Sequence, residues 1–287
     1  MSLRLSHMPT GDSANGEMPT SDLDLLTLGR DGAVEPWQPP IALVIGGSEG
    51  VGAALAESLL AREDVELVMV TSRRPAAEVP RFRSWERAHG PRVLALRGDV
   101  RSETDVAGWA ARIRDEVGAL DLCIQAAGLL HADGIAPERR LDDIDPASVM
   151  EVFEVNALGP LLAAKHLAPL MAHGRRAVFA ALSARVGSIS DNRRGGWYAY
   201  RASKAALNMF LRNIAIEMAR KNPHFCVLGL HPGTVDTQLS KPFQRSVPDG
   251  TLQSPAQSAA QLIGVIDRST PAHSGRVYDY AGQEISP

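Results

Sequence analysis

The stretch IALVIGGSEGVGAALAESLL (residues 41–60) decides the fold. Its first six residues form a continuous apolar run that ends in glycine, which is typical of a strand buried on both faces of a parallel sheet. The glycine-rich segment GGSEGVG ends this run, and the apolar spacing beyond it predicts a helix over about residues 51–62. A strand, a glycine turn and a helix in this order predict the start of a parallel α/β domain.

The same alternation continues to the C-terminus. Further strands are predicted at 65–71, 93–99, 120–128, 176–183, 226–233 and 276–282, and further helices at about 103–117, 146–172, 197–220 and 255–267. This order predicts the α/β class, with a single doubly wound Rossmann-type domain over residues 39–287 and a parallel seven-stranded sheet with helices on both faces. Residues 1–38 are rich in Gly, Pro, Ser, Thr and Asp, and we predict a flexible tail whose removal leaves the fold intact.

Composition and charge argue against several classes of protein. The 287 residues carry a formal net charge of -3 without a basic stripe, which gives no support to nucleic-acid binding. Cys123 and Cys226 each lie in an apolar run and are predicted to be reduced core thiols, and no metal-ligand spacing is present. No apolar stretch reaches the roughly 20 residues of a membrane-spanning helix, and the acidic N-terminal segment does not resemble a targeting signal. We expect a cytoplasmic protein without a nucleic-acid, membrane or metal partner.

The glycine segment has the spacing G-x-x-x-G-x-G. Gly46, Gly50 and Gly52 are predicted to allow a tight turn and a close backbone approach, so that the helix start presents N–H groups to a pyrophosphate. No lysine followed by Ser or Thr closes the loop, which disfavours a nucleoside-triphosphate site. The residues between the glycines that we expect at this phosphate site are Ser48, Glu49 and Val51.

The second predicted strand ends in Thr71-Ser72-Arg73-Arg74. An acid at this position would bind the adenosine ribose and repel a 2′-phosphate, whereas an arginine pairs with that phosphate. We therefore expect NADP(H) to be preferred over NAD(H). Arg73 is the better candidate because it lies closer to the strand, and Arg74 is the alternative. The missing acid also disfavours an S-adenosylmethionine-dependent methyltransferase.

Tyr200 and Lys204 share one face of a predicted helix because they are four residues apart. A nearby ammonium group is expected to stabilise the phenolate and to lower the pKa of the tyrosine. The pair then suits proton transfer to or from a substrate oxygen. Tyr198 is a natural comparison, because the residue four positions beyond it is Ala202.

The segments GGSEGVG, VNALG, LSARVG, YRASK and HPGTVDT follow one another in the chain. With them, the sequence from about residue 41 to the C-terminus resembles the short-chain dehydrogenase/reductase family, and in particular its C-factor-like and sniffer-like carbonyl-reductase branch. The resemblance implies an NADP(H)-dependent oxidoreductase that reduces a carbonyl or oxidises a secondary alcohol of a small-molecule substrate. It also implies that Tyr200 is the general acid/base and that Lys204 tunes it and binds the nicotinamide ribose. Members of the family are often homo-oligomers.

The resemblance assigns further residues to the site. Asn156 would hold a water in the proton relay, close to the cofactor. Additional cofactor contacts are implied at Asp99, Val100, Ala127, Gly128, Pro232, Gly233, Val235 and Thr237.

Two departures from the family pattern affect the site. The usual N-N-A-G after the fourth strand is Gln125-Ala126-Ala127-Gly128 here, so that one bracing asparagine contact is expected to be lost at Ala126. Counting back from Gly187, the usual catalytic serine falls on Ala184. We predict that the adjacent Ser183 takes this role, with Ser188 as the second candidate.

Several questions stay open from the sequence. A non-catalytic nucleotide-binding protein of the C-factor-like signalling kind is the alternative to an enzyme, because a fold does not fix a function. The substrate is not encoded in a readable motif, and its choice is expected to depend on the loop at about 234–254. His131 is expected to be an exposed loop residue, with contact to the substrate as the alternative. Trp197 and Tyr198 fit either helix packing or a substrate wall.

Overall fold

The computed structural model describes residues 40–248 and 250–287, and the predicted N-terminal tail lies outside these residues. The described residues form one parallel seven-stranded sheet in the order β3-β2-β1-β4-β5-β6-β7. Its strands are β1 (Ile41–Ile45), β2 (Leu67–Ser72), β3 (Val93–Arg97), β4 (Leu122–Gln125), β5 (Ala177–Leu182), β6 (Phe225–His231) and β7 (Arg276–Asp279). This architecture confirms the predicted doubly wound α/β fold.

Helices cover both faces of the sheet, because each strand is apolar on both sides. The helices are α1 (Gly50–Leu60), α2 (Pro80–His89), α3 (Glu103–Glu116), α4 (Pro146–Phe153), α5 (Gly159–Leu167), α6 (Tyr198–Met218) and α7 (Pro255–Arg268). One buried cluster joins α1, α2 and α7 to the sheet through residues such as Leu59 and Leu262. The second joins α3, α5 and α6 to the opposite face through residues such as Leu167 and Leu211.

The sequence analysis missed α2. This helix buries only Phe82 and Trp85, whose ring centroids lie 5.6 Å apart, so its apolar periodicity is weak. Two neighbouring parallel strands nevertheless need a crossover connection, which is usually a helix. Because β2 and β3 pair in parallel, the chain between them must form such a connection. Topology, rather than local pattern, would have predicted this helix.

The long helix predicted at about 146–172 is interrupted. A π-helical turn, Glu154–Leu158, separates α4 from α5, and such turns are frequent at functional sites. The whole helical run Pro146–Met171 is also long and apolar enough to meet a length and composition test for a membrane span, contrary to the expectation from the sequence. Its apolar content covers the sheet, since Ala163 and Leu167 are buried in the core.

The two cysteines lie inside the sheet, as predicted for core thiols. Both Cys123 on β4 and Cys226 on β6 are free and buried. Burial raises the pKa of the Cys226 thiol to about 12, and its sulfur donates to the Thr270 carbonyl at 3.2 Å. Neither thiol has the features of a reactive cysteine.

The strand order reverses between the adjacent strands β1 and β4. The chain adds β2 and β3 on one side of β1, and then adds β4 to β7 on its other side. In an open α/β sheet such a reversal creates a crevice at the carboxyl ends of the strands. Ile45 and Gln125 are paired at these ends, so the turns after the two strands run side by side. The crevice is where a ligand is expected to bind.

Candidate active site

A cavity of about 990 Å³ occupies the crevice at the carboxyl ends of the strands. This volume lies at the upper end of the roughly 300 to 1,000 Å³ of ligand pockets. Most of the predicted site residues line it. They are Gly46, Ser48, Glu49, Gly50, Val51, Arg73, Asp99, Val100, Ala127, Gly128, Ser183, Tyr200, Lys204, Pro232, Val235 and Thr237. Four other predicted residues do not line it, namely Gly52, Arg74, Asn156 and Gly233.

The glycine turn forms one wall of the cavity. Gly46 and Gly50 have φ angles of 81° and 56°, a left-handed conformation that favours glycine. A Cβ at Gly46 would lie 2.8 Å from the backbone nitrogen of Ala127, so this position also needs glycine for space. No side chain caps the first turn of α1 at Glu49. The free N–H groups of this turn fit a pyrophosphate.

Gly52 also needs to be glycine for space. A Cβ there would lie 2.2 Å from the carbonyl oxygen of Gly46, so the glycine lets α1 pack against the turn, and its contact with the cofactor stays a prediction. Gly233 is similar, because its φ is 77° and a Cβ would lie 2.9 Å from the Tyr280 ring. Both glycines therefore allow close packing next to the cavity without lining it.

The two arginines after β2 have different surroundings. Arg73 lines the cavity, whereas Arg74 does not. The guanidinium of Arg74 donates to the carboxylate of Glu49 at 2.6 Å, and both side chains are about half exposed. This placement favours Arg73 as the residue that faces an adenosine phosphate.

Asp99 is paired with an arginine that the sequence analysis missed. Arg101 lines the cavity and donates to the Asp99 carboxylate at 2.7 Å and to Glu151 at 3.3 Å. Burial opposes ionisation of Asp99, but the hydrogen bonds and charge of Arg101 outweigh it and lower the pKa of Asp99. The only signal for this pair in the sequence is that the two residues are two positions apart.

Tyr200 and Lys204 lie together on the cavity wall, one turn apart on α6. The side-chain nitrogen of Lys204 donates to the carbonyl of Leu182, the last residue of β5, at 2.7 Å. A Cβ at Gly187 would lie 2.8 Å from the Lys204 Cβ, so this glycine lets the segment after β5 approach α6 closely. The lysine is thereby fixed against the strand end.

Burial changes the pKa values of this pair in a direction that the sequence analysis did not predict. It raises the pKa of Tyr200 to about 12 and lowers the pKa of Lys204 to about 8. Desolvation disfavours the charged form of each group, and here it outweighs the stabilisation of a phenolate by the nearby lysine. At neutral pH both groups therefore carry a proton.

Ser183 is the serine that the structure brings to the cavity. It lines the cavity near Tyr200, and its hydroxyl donates to the Asn208 side-chain oxygen at 2.6 Å. Ser188 is also buried but does not line the cavity, and its oxygen lies 3.3 Å from the Ser190 hydroxyl. This geometry favours Ser183, and its contact with the substrate stays a prediction.

Asn156 lies in the π-helical turn and is fully buried. Its side chain accepts from the Leu129 N–H at 2.8 Å and donates to the Leu129 carbonyl at 2.7 Å. It also donates to the Ser203 hydroxyl on α6 at 3.2 Å. The side chain therefore braces the segment after β4 against α6, and its expected role in a proton relay stays a prediction.

The turn after β4 keeps a side-chain brace despite the missing asparagine. The Gln125 side-chain oxygen accepts the N–H of Ala127 at 2.7 Å. The contact expected to be lost at Ala126 is thus replaced by one from the preceding residue. Ala127 and Gly128 remain on the cavity wall.

An aromatic cluster lies beside Tyr200. The ring centroid of Trp197 is 6.2 Å from that of Tyr200 and 4.9 Å from that of Phe243, in edge-to-face arrangements. His131 lines the cavity rather than standing exposed, and its ring nitrogen bonds the carbonyls of Gln238 and Leu239 at 3.2 and 3.1 Å. The predicted specificity loop therefore contacts the side of the cavity that carries His131 and Tyr200.

No cluster of three or more metal-ligating side chains occurs in the part of the chain that the structure describes. The cavity instead offers a glycine turn, a helix N-terminus, three arginines and a tyrosine–lysine pair. These groups fit a phosphorylated dinucleotide along one wall and a small polarised substrate beside Tyr200.

Comparison with known proteins places the chain among oxidoreductases. It is 39% identical over 145 residues to the C-signal of Myxococcus xanthus, covering 50% of this chain and 82% of that protein. It is 36% identical over 178 residues to the 1-hydroxy-2-glutathionyl-2-methyl-3-butene dehydrogenase of Rhodococcus sp. (strain AD45), covering 62% of this chain and 73% of the relative.

Among solved structures, a short-chain dehydrogenase/reductase from Burkholderia multivorans with bound NADP is similar to this chain. The TM-score is 0.71 at 25% sequence identity, and the match covers 87% of this chain and 100% of that one. Residues 40–247 match the sequence profile of the short chain dehydrogenase family. The protein is therefore a member of the short-chain dehydrogenase/reductase family.

Proposed function

We propose that this protein is an NADP(H)-dependent oxidoreductase that reduces a carbonyl compound, or in reverse oxidises a secondary alcohol, with Tyr200 as the general acid/base. One observation carries the proposal. Tyr200, Lys204 and Ser183 converge on the same cavity wall, next to a glycine turn and helix N-terminus suited to a dinucleotide. A binding protein without chemistry has no need for a buried tyrosine–lysine pair at its ligand site.

Tyr200, Lys204 and Ser183 would have different roles in the reduction. When bound, a nicotinamide cofactor would supply the hydride for the carbonyl carbon. The substrate oxygen, on which negative charge develops, then accepts the proton of the Tyr200 hydroxyl. The high pKa of Tyr200 keeps this proton in place at neutral pH, and the Lys204 ammonium stabilises the phenolate that remains. The Ser183 hydroxyl donates to the Asn208 side-chain oxygen at 2.6 Å, and it would orient the substrate oxygen by turning its hydrogen from Asn208 to that oxygen.

The preference for NADP(H) is supported by charge. Arg73 lines the cavity after β2, and no acid follows that strand to repel a 2′-phosphate. The similar Burkholderia structure contains NADP, which agrees with this choice. A cytoplasmic location stays a prediction from the sequence.

The alternative is a nucleotide-binding signalling protein, since the chain is 39% identical over 145 residues to a C-signal. The two functions differ in what they need from Tyr200. A signalling protein needs the fold and the bound nucleotide, whereas the enzyme also needs the phenol hydroxyl.

The test is a screen for NADPH consumption with aldehydes and ketones, and for NADP⁺ reduction with secondary alcohols. With a substrate found, Tyr200→Phe should lower turnover by roughly two to four orders of magnitude while NADPH binding survives. Tyr198→Phe is the matched control, because Tyr198 is 38% exposed and has no lysine one turn beyond it. Full activity in both variants, or NADPH binding without turnover of any substrate, would contradict the proposal.

A further inference from the structure

A buried carboxylate outside the predicted catalytic set lies against the first turn of α6. Glu138, in the segment between β4 and α4, is only 5% exposed. Its two carboxylate oxygens accept the backbone N–H of Ala199 at 3.2 and 3.4 Å. Ala199 immediately precedes Tyr200. The carboxylate therefore holds the helical turn from which the phenol projects.

The sequence next to this helix provides no cap of its own. Trp197, the residue before α6, makes no side-chain capping bond, and the first turn contains no acid. The first N–H groups of a helix need acceptors, and a negative charge at this end is favoured by the helix dipole. Glu138 supplies both from 61 positions away in the chain.

Glu138 holds the chain on both sides of the helix start. Its backbone carbonyl accepts the N–H of Trp197 at 2.5 Å, while its carboxylate holds Ala199. Trp197 has a φ of 52° and is the one non-glycine residue with a positive φ in the described part of the chain. A residue of this kind adopts the left-handed conformation only where surrounding contacts hold it. The turn into α6 is thus built around Glu138.

We infer that Glu138 is a positioning residue, which fixes the first turn of α6 and with it the Tyr200 hydroxyl. The inference rests on the function proposed above. Proton transfer requires that the hydroxyl stay within hydrogen-bond reach of the substrate oxygen. Glu138 belongs to the same segment as His131, which lines the substrate side of the cavity, so it also ties that wall to the catalytic helix.

Three substitutions separate position from charge. Glu138→Ala removes the acceptor. Glu138→Asp keeps the charge but withdraws the carboxylate from Ala199 by one methylene. Glu138→Gln keeps an oxygen at the original distance and loses the charge. If position matters, kcat should fall by about 10- to 100-fold in the Ala and Asp variants, because displacements of about 1 Å can have effects of this size.

Glu138→Gln should keep kcat within about threefold, because a neutral acceptor forms a weaker bond of the same geometry. KM for NADPH should change less than kcat in all three variants, since the glycine turn and Arg73 belong to elements other than α6. An Asp variant with the kcat of the unmutated enzyme, or a Gln variant as slow as Ala, would overturn the inference.

A loss of stability alone is tested with a matched cap. Asp145 caps α4, where its side chain accepts the Ser148 N–H at 2.8 Å, and it does not line the cavity. Asp145→Ala should lower the melting temperature but retain kcat. If it loses as much kcat as Glu138→Ala for the same drop in melting temperature, Glu138 has only a structural role. Should Glu138→Ala not fold, the comparison of Asp with Gln decides.

A readout without turnover keeps this inference separate from the proposed function. Hydrogen–deuterium exchange of a peptide over residues 196–205 should be faster in Glu138→Asp than in the unmutated protein and unchanged in Asp145→Ala. An unmutated protein that consumes no NADPH would defeat the proposed function. The anchoring of α6 by Glu138 would then be decided by exchange alone, and unchanged protection in Glu138→Asp would overturn it.

Discussion

The side-chain nitrogen of Lys204 lies 5.7 Å from the centre of the Tyr200 ring. Burial raises the pKa of Tyr200 and lowers the pKa of Lys204, because it disfavours the charged form of each group. Tyr200 has a pKa of about 12 and keeps its proton at moderately alkaline pH, whereas Lys204 has a pKa of about 8 and loses its proton there. The lysine is thus the group of this pair whose charge changes at moderately alkaline pH. Under the proposed function, carbonyl reduction is therefore expected to depend on pH through Lys204.

We predict that initial rates of carbonyl reduction fall as the pH rises through the Lys204 pKa of about 8. Below that pH the ammonium is present and stabilises the phenolate formed when Tyr200 gives up its proton, and above it the charge is lost. Lys204→Arg should be slower overall but should keep its charge, so the alkaline fall should disappear. The measurement is kcat/KM between about pH 6 and pH 10. The same alkaline fall in the arginine variant would assign it to another group.

Ser183→Ala is predicted to lower kcat by about tenfold, because the substrate oxygen loses one hydrogen-bond partner. Ser188→Ala should change kcat by less than about twofold, since Ser188 does not line the cavity. Both serines are small and buried, so the pair is well matched for stability. Steady-state kinetics on one verified substrate decides between them, and the opposite order would assign the role to Ser188.

The aromatic cluster should influence substrate binding. Phe243→Ala removes the ring that contacts Trp197 and His131, with centroid distances of 4.9 and 5.9 Å. The specificity loop then loses two aromatic contacts of about 0.5 to 1.5 kcal/mol each, and KM for the carbonyl substrate should rise by about tenfold. KM for NADPH should not change. Leu252→Ala, at a 38% exposed position that does not line the cavity, is the control and should behave as the unmutated protein.

The fold could be predicted because its signals are local. Continuous apolar runs such as Ile41–Ile45, each followed by a helical pattern, specify parallel strands without reference to the rest of the chain. The helix α2 could not be found in this way, since Phe82 and Trp85 are its only buried side chains. Its existence follows from the pairing of β2 with β3, which is a property of the assembled sheet.

The same distinction applies to the site. The glycine turn and the spacing of Tyr200 and Lys204 are short patterns, so they were visible in the sequence. Contacts between distant segments were not, and Glu138 with Ala199 is the clearest case, at 61 positions apart. The pKa of Tyr200 also depends on burial by the folded chain. For this reason, the sequence indicated a lowered value, whereas the structure gives a raised one.

The two adjacent arginines after β2 provide the sharpest test of the cofactor preference. Arg73 lines the cavity, whereas Arg74 does not line it and donates to the carboxylate of Glu49 at 2.6 Å. Because the two residues are neighbours in the chain and carry the same charge, replacing either one changes the net charge equally. A difference between the variants therefore reports the contact and not the general electrostatic field.

We predict that Arg73→Ala raises the dissociation constant for NADPH by about 10- to 100-fold and leaves that for NADH nearly unchanged. A charge-assisted hydrogen bond contributes about 1.5 to 3 kcal/mol, and only the 2′-phosphate of NADPH can receive it. Arg74→Ala should weaken NADPH binding by less than about threefold, because a half-exposed ion pair contributes little. Titration of protein fluorescence with each nucleotide measures the dissociation constants of the unmutated protein and of both variants. Equal affinity of the unmutated protein for NADPH and NADH would contradict the assignment, and a larger loss in Arg74→Ala would move the phosphate contact to Arg74.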